Sequence, residues 1–251
     1  MERPTLHLWC AYPDDLLQEE AAQACLRLLD EEERARFEAF KFDEHRREYL
    51  ATHALARTAL SYHHSFPPSA CRFKQNDYGK PSIDPECGLR FNLSNSLGLV
   101  VCLIANGAEV GVDVESRERS ESIAEVGPTV FSPQELAQLE ALREEERPER
   151  SLQLWTLKEA YIKARGMGLS LPLKEFSFLF GGSAGIRMEM DPGLSDKPER
   201  WRFCLLRHAE HCIALMTECA VTPELNVWEA RPPSAAPRQL TLPQEPWFPQ
   251  V

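Results

Sequence analysis

An α+β fold built as two similar lobes is what this 251-residue sequence predicts. Three observations carry that expectation. The first half runs from amphipathic helical periodicity into apolar, β-branched runs, and the second half does so again after an alternating Val/polar segment. The composition, 43% apolar and 27% charged, is that of an ordinary globular protein, and the length suits one or two domains. The expected division is a first α+β lobe over 1–108, a second over 109–228 and a Pro-rich tail over 229–251.

Taking the elements in order, residues 15–36 place Leu16, Leu17, Ala21, Ala24, Cys25, Leu28 and Leu29 at helical spacing, and 43–62 repeat the period through Tyr49, Leu50, Ala54, Leu55 and Leu60. Two helices are expected there. Pro67-Pro68, Asp77-Tyr78-Gly79-Lys80-Pro81 and Asp84-Pro85 mark a loop-rich passage, followed by paired strands over Leu89 to Ala105 around Gly98. Val alternates with polar residues from Glu109 to Glu115, the period of a half-buried strand. Ser132-Pro133-Gln134-Glu135 opens a helix, and a second helix over 152–165 ends at Gly166 and Gly168. Phe176 to Phe180, Trp201 to Leu206 and Cys212 to Thr217 read as strands, the last two as a hairpin. The six prolines at 232, 233, 237, 243, 246 and 249 predict an extended tail, with Trp247-Phe248 as its anchor to the body.

Charge narrows the function classes. Lys plus Arg number 28 against 39 Asp plus Glu, a net −11. Such a field repels nucleic acid and anionic membrane, so any anionic ligand has to meet local cations. No apolar stretch approaches the ~20 residues of a membrane-spanning helix, and the N-terminus lacks a long apolar signal core. Eight cysteines without a CxxC pair read as reduced thiols, and the expected compartment is the cytoplasm. His208, His211, Cys212 and Cys204 match no standard zinc spacing.

The chemistry concentrates in two segments about forty residues apart. On a strand, Asp113 and Glu115 share a face, and on a helix Glu159 and Lys163 share another. If the faces meet, three carboxylates and a cation converge, which suits Mg²⁺ completed by substrate phosphate oxygens. Taken alone, Glu159/Lys163 also has the spacing of a common surface pair worth ~0.3–0.5 kcal/mol, and alternating acids also suit the solvated face of a half-buried strand.

Gly111-Val112-Asp113-Val114-Glu115 and Trp155-Thr156-Leu157-Lys158-Glu159-Ala160-Tyr161-Ile162-Lys163, followed by Gly166-Met167-Gly168-Leu169, resemble the two signature blocks of the 4′-phosphopantetheinyl transferases of the surfactin-synthetase-activating type. Tyr78-Gly79-Lys80-Pro81 and Phe91-Asn92-Leu93-Ser94 resemble two further blocks, and the likeness spans roughly residues 30–218. The resemblance implies a pseudo-two-fold pair of α+β lobes with coenzyme A between them. Its reaction moves phosphopantetheine onto a serine of an apo acyl or peptidyl carrier protein and releases adenosine 3′,5′-bisphosphate. By the same resemblance Asp113, Glu115 and Glu159 hold Mg²⁺, Lys163 stabilises phosphate charge, and Glu159 is the candidate base, acting directly or through a water. Arg36, Arg47, Lys80, Pro81, Ser94, Asn95 and Lys158 fall at coenzyme A positions, Arg36 toward the 3′-phosphate. Glu135 aligns with a family acid near the metal.

One position departs from the pattern. The family usually has His after the Ser of the Phe-Asn-x-Ser block, and here Asn95 stands there. An amide donates to phosphate without charge, so coenzyme A binding weaker than in an Asn95→His variant is expected. Asn95 also motivates the alternative of a catalytically silent paralogue that binds coenzyme A or the carrier, and a Mg²⁺ pyrophosphatase is a third reading. Because carrier proteins of this class are acidic, docking requires a local apolar or basic patch. Two lobes in one chain form the cleft without a second subunit, so a monomer is expected; the pathway served, whether fatty acid, polyketide or nonribosomal peptide, is not encoded in these motifs.

Overall fold

A computed structural model describes residues 3–182, 185–231, 236–241 and 247–248. The chain opens with strand β1 (Thr5–Ala11) and helices α1 (Pro13–Leu16), α2 (Glu19–Leu26), α3 (Glu31–Ala39) and α4 (Asp43–His63). The stretch expected as one helix over 15–36 is therefore three. Asp30 explains the last break: its carboxylate accepts from Glu33 N while Glu33 accepts from Asp30 N, a reciprocal cap that starts a new helix inside the periodic run. Strands β2 (Phe73–Gln75) and β3 (Pro81–Ile83) pair, and β4 (Leu89–Ser96) turns at Leu97-Gly98 into β5 (Leu99–Asn106), as the apolar run predicts.

The second half follows the same plan. It contains β6 (Val110–Ser116), α5 (Ser120–Val130), α6 (Pro133–Glu140), α7 (Arg147–Arg165), the pair β7 (Phe176–Phe180) and β8 (Ile186–Met190), and the hairpin β9 (Trp201–His208) and β10 (His211–Glu218). The order β1-β5-β4 in one sheet matches β6-β10-β9 in the other, each with a long helix after its first strand and a small hairpin before its last two. This repeated topology is the pseudo-two-fold relation expected of the two lobes.

Alternation along the strands sorts side chains into three cores. Trp9, Val100, Cys102 and Ile104 pack with Leu50, Ala54 and Leu55 of α4, whereas Leu8, Cys10, Val101 and Leu103 meet Val112, Val114, Ile213 and Leu215 between the two sheets. On the far side Ala214, Met216 and Phe203 pack with Leu157, Ala160 and Tyr161 of α7. The layers are thus helix, sheet, sheet, helix.

The chain after 218 corrects the expected boundaries. Strand β11 (Glu224–Glu229) returns to lobe one and pairs in parallel with β1, and β12 (Arg238–Leu240) extends that sheet. The second lobe therefore does not own residues up to 228, nor is the segment after 229 wholly extended tail. Trp247 enters the core between the sheets, and Phe248 exchanges backbone hydrogen bonds with Phe203. Pro232, Pro233, Pro243, Pro246 and Pro249 lie outside the described residues.

Candidate active site

All seven residues of β6 are buried, which removes the half-buried reading of this strand. Its pleat sends Val110, Val112 and Val114 into the central core and leaves Gly111, Asp113 and Glu115 on the opposite face, against α7. Gly111 makes the approach possible, because a Cβ there would lie 2.0 Å from the Ala160 carbonyl oxygen and 2.5 Å from Ala164 N. The helix that lies so close ends at Gly166, whose left-handed φ of +62° suits a C-terminal cap. Asp113 and Glu115, 4% and 5% exposed, accordingly face a helix and not bulk water.

The free edge of β6 is satisfied by side chains of β4. Asn92 Oδ1, Ser94 Oγ and Ser96 Oγ accept from the backbone N–H groups of Val112, Val114 and Ser116 at 2.9, 3.3 and 3.1 Å. Residues two apart on one strand thus meet N–H groups two apart on the other, a ladder made across the lobe boundary. The two hydroxyls also orient the acids: Ser94 donates to Asp113 Oδ1 at 2.9 Å and Ser96 to Glu115 Oε2 at 3.1 Å. Asn92 and Ser96 were not among the sequence candidates. The signal that could have found them is the i, i+2, i+4 spacing of short polar residues in an otherwise apolar strand.

From α7, Lys163 donates to Asp113 Oδ1 at 2.7 Å and to Ser94 Oγ at 2.8 Å, and Trp155 donates to Glu115 Oε1 at 3.0 Å. Arg119, just before α5, forms a 2.6 Å ion pair with Glu115. Glu159 completes the group electrostatically. Burial, then the charge of Asp113, with Glu115 adding to them against Lys163 and Arg119, pushes its carboxyl up to about 7. Burial and Asp113 also raise the Glu115 carboxyl, against Arg119 and Trp155.

The three expected metal-ligating residues therefore share one neighbourhood, although among the described residues no three such side chains are gathered into a cage. Asp113 Oδ1 is taken by Lys163 and Ser94, and both Glu115 oxygens lie within 2.8 Å of Arg119. Two observations fit a divalent ion here. Asp113 Oδ2 is buried without a hydrogen-bond partner, and the charge of Asp113, which adds to burial in raising Glu159 and Glu115, is offset by a cation among them. Carboxylate oxygens are the donor set that Mg²⁺ takes.

Beside this cluster an open cavity of about 270 Å³ is lined by Tyr78, Gly79, Pro81, Leu93, Glu159 and Lys163, among others. Lys80 and Pro81 thus stand at the same cleft as the α7 pair, but the Lys80 ammonium turns inward and spends its three donors on Glu109, Val110 O and Ala164 O. Ser94 is also saturated. Its one proton goes to Asp113, and its lone pairs accept from Val114 N and Lys163, so its hydroxyl has no capacity left for a ligand.

Lys158 and Glu135 are corrected outright. Lys158 is fully buried, donating to Leu173 O and Phe176 O and pairing with Glu135 at 2.9 Å. Burial lowers its ammonium despite that partner. Glu135 is equally buried, caps α6 through Ser132 and accepts from Phe178 N. Adjacent helix positions lie about 100° apart, so Glu159 reaches the cleft while Lys158 enters the core. The remaining candidates surround the first half of α4: Asn95 donates to Glu48 at 3.4 Å, Arg47 pairs with Asp14 at 2.7 Å, and Arg36 lies over the Tyr49 ring. Among the described residues no contact joins these three to the carboxylates.

Comparison with known proteins agrees with this geometry. The profile of the 4′-phosphopantetheinyl transferase superfamily matches residues 109–216, the segment from the entry of β6 into β10. The chain is similar to a phosphopantetheinyl transferase of a Thraustochytrium species, 31% identical over 209 residues that cover 76% of this chain and 70% of that one. It is also similar to 4′-phosphopantetheinyl transferase HetI of a Nostoc species, 29% identical over 83% of this chain and 85% of the other, and to Sfp of Bacillus subtilis, 28% identical over 74% and 81%. With a relative above 30% identity aligned over most of both chains, and with the two signature blocks packed against each other on β6 and α7, the chain belongs to the 4′-phosphopantetheinyl transferases.

Proposed function

We propose that this enzyme transfers phosphopantetheine from coenzyme A to a serine of an apo carrier protein in a Mg²⁺-dependent reaction, releasing adenosine 3′,5′-bisphosphate. The observation that carries the reading is the grouping of Asp113 and Glu115 of β6 with Glu159 and Lys163 of α7 beside one cleft, with a buried carboxylate oxygen of Asp113 lacking a partner. Asp113, Glu115 and Glu159 would hold the ion. When bound, it supplies charge neutralisation at the pyrophosphate.

The side chains divide the remaining work. Coenzyme A lies along the cavity floored by Tyr78, Gly79 and Pro81, with its pyrophosphate beside Lys163. Lys163, freed from Asp113, donates to phosphate oxygens and stabilises their developing charge. Glu159, which opens on the same cavity as Lys163, is the base that accepts the serine proton, directly or through a water. The serine oxygen forms a bond to the phosphorus of the phosphopantetheine arm, the bond from that phosphorus to the pyrophosphate bridging oxygen breaks, and adenosine 3′,5′-bisphosphate departs with the electron pair. Arg36, Arg47 and Asn95, around the start of α4, are assigned to the nucleotide end of coenzyme A.

The test is mass spectrometry of an apo carrier protein incubated with the enzyme, coenzyme A and Mg²⁺. The carrier gains one phosphopantetheine group, and chelation of the metal abolishes the gain. Coenzyme A cleavage without an adduct would contradict the assignment.

A further inference from the structure

We infer that Lys80 is a positioning residue, a helix cap supplied to α7 by the opposite lobe, and not a ligand of coenzyme A phosphate. The inference rests on the reading that coenzyme A fills the cleft. Lys80 belongs to a turn of lobe one that Asn76 holds together: Asn76 Oδ1 accepts from Tyr78 N at 3.0 Å and Lys80 N at 2.8 Å. The same Asn76 donates through Nδ2 to Gly166 O at 2.8 Å, just past the end of α7. Lys80 Nζ then donates to Ala164 O at 2.7 Å, to Val110 O at 3.2 Å and to Glu109 Oε2 at 2.7 Å.

Each of these contacts meets a need of lobe two. The last carbonyls of a helix lack intrahelical partners and carry the negative end of its dipole, so a cation with N–H donors is their natural complement. Val110 opens the strand bearing Asp113 and Glu115, and Ala164 follows Lys163. One ammonium therefore joins the cavity turn, the start of β6 and the end of α7, the three segments on which the cleft depends. The packing is close: a Cβ on Gly166 would fall 2.8 Å from Lys80 Cδ and 3.2 Å from Asn76 Nδ2. An ammonium has three protons, and all three are engaged on groups of the protein. The Lys80 side chain is 14% exposed.

Steady-state transfer with two donors, coenzyme A and its analogue lacking the 3′-phosphate, separates positioning from direct contact. For Lys80→Met we expect KM to rise about tenfold with both donors, the two factors agreeing within twofold, while kcat changes less. Lys80→Arg behaves like Lys80→Met, because a planar fork on a longer stem does not bring three donors to three acceptors around one point. Asn76→Ala, which alters no charge and tests the turn independently should Lys80→Met fold poorly, also raises both KM values equally. A penalty confined to coenzyme A, or restoration by arginine, would overturn the inference in favour of phosphate binding. So would a fall in apparent kcat at unchanged KM, the mark of simple destabilisation. Each of these outcomes leaves the functional reading intact, whereas a wild-type chain that uses neither donor contradicts that reading and this inference together.

Discussion

That Asp113 and Glu115 share one face was legible in the sequence, but their present partners were not. A strand pattern places both acids on one face without saying that Lys163 and Arg119 already occupy them. The neighbours Lys158 and Glu159 show the same limit at higher contrast. Both stand in one recognisable block, yet one is wholly buried against Glu135 and the other opens on the cleft. Ser94 and Lys80 carry polar groups that suit a ligand, and only a count of their bonded donors and acceptors shows those groups to be spent inside the protein. Arg119 gives a test at this scale. Its guanidinium is half exposed and competes with any cation for Glu115, so its pair is worth only ~0.2–1 kcal/mol. Arg119→Gln is therefore expected to tighten divalent-ion binding by about two- to fivefold, measured by calorimetric titration with Mn²⁺. Weaker binding by the variant would show that Arg119 supports the site instead of guarding it.

Helix starts and strand alternation were readable wherever a local signal existed, as at Ser132-Pro133 and along β6. The partner of β11 was not, because a strand's pattern does not name the strand beside it, and the first helical run was misjudged where Asp30 caps a new start. The contact of β6 with α7 depends on Gly111. A methyl group added there meets the backbone of α7, which cannot yield as a side chain would, so Gly111→Ala should lower stability by at least the ~1–3 kcal/mol of ordinary overpacking. Urea unfolding with a midpoint equal to wild type would show that the helix can move away. The tie between α3 and α4 makes a prediction about pH. Burial alone would raise Glu33, but hydrogen bonds from His53 and Asp30 N, with the charges of His53 and Arg57, outweigh it and lower the carboxyl to about 2. A depressed acid stabilises the fold fully above its unfolded value near 4.5 and loses that contribution as pH falls toward 2. On the order of 2 kcal/mol is expected to disappear across that window, and Glu33→Gln should remove the Glu33 share of the slope. Parallel pH profiles of unfolding free energy for the two proteins would contradict this.

The whole molecule explains why one chain suffices to build the cleft. Two copies of one topology face each other across a shared core, the β4 side-chain ladder joins their edges, and β11 carries the chain back into the first sheet. The lobes are unequal in chemistry: Asp113 and Glu115 lie on β6 and Glu159 on α7, while β1 and α4 bury mainly apolar side chains in the corresponding positions. The cleft is thus lined by both lobes, while the acids beside it come from one. Whether its acids act as a unit is decided most directly by Mn²⁺ titration of wild type and of Asp113→Asn, Glu115→Gln and Glu159→Gln, followed by electron paramagnetic resonance. One ion per chain is expected in wild type, with affinity falling at least tenfold in each variant. Undiminished affinity in all three, or an ion retained elsewhere on the chain, would contradict the account.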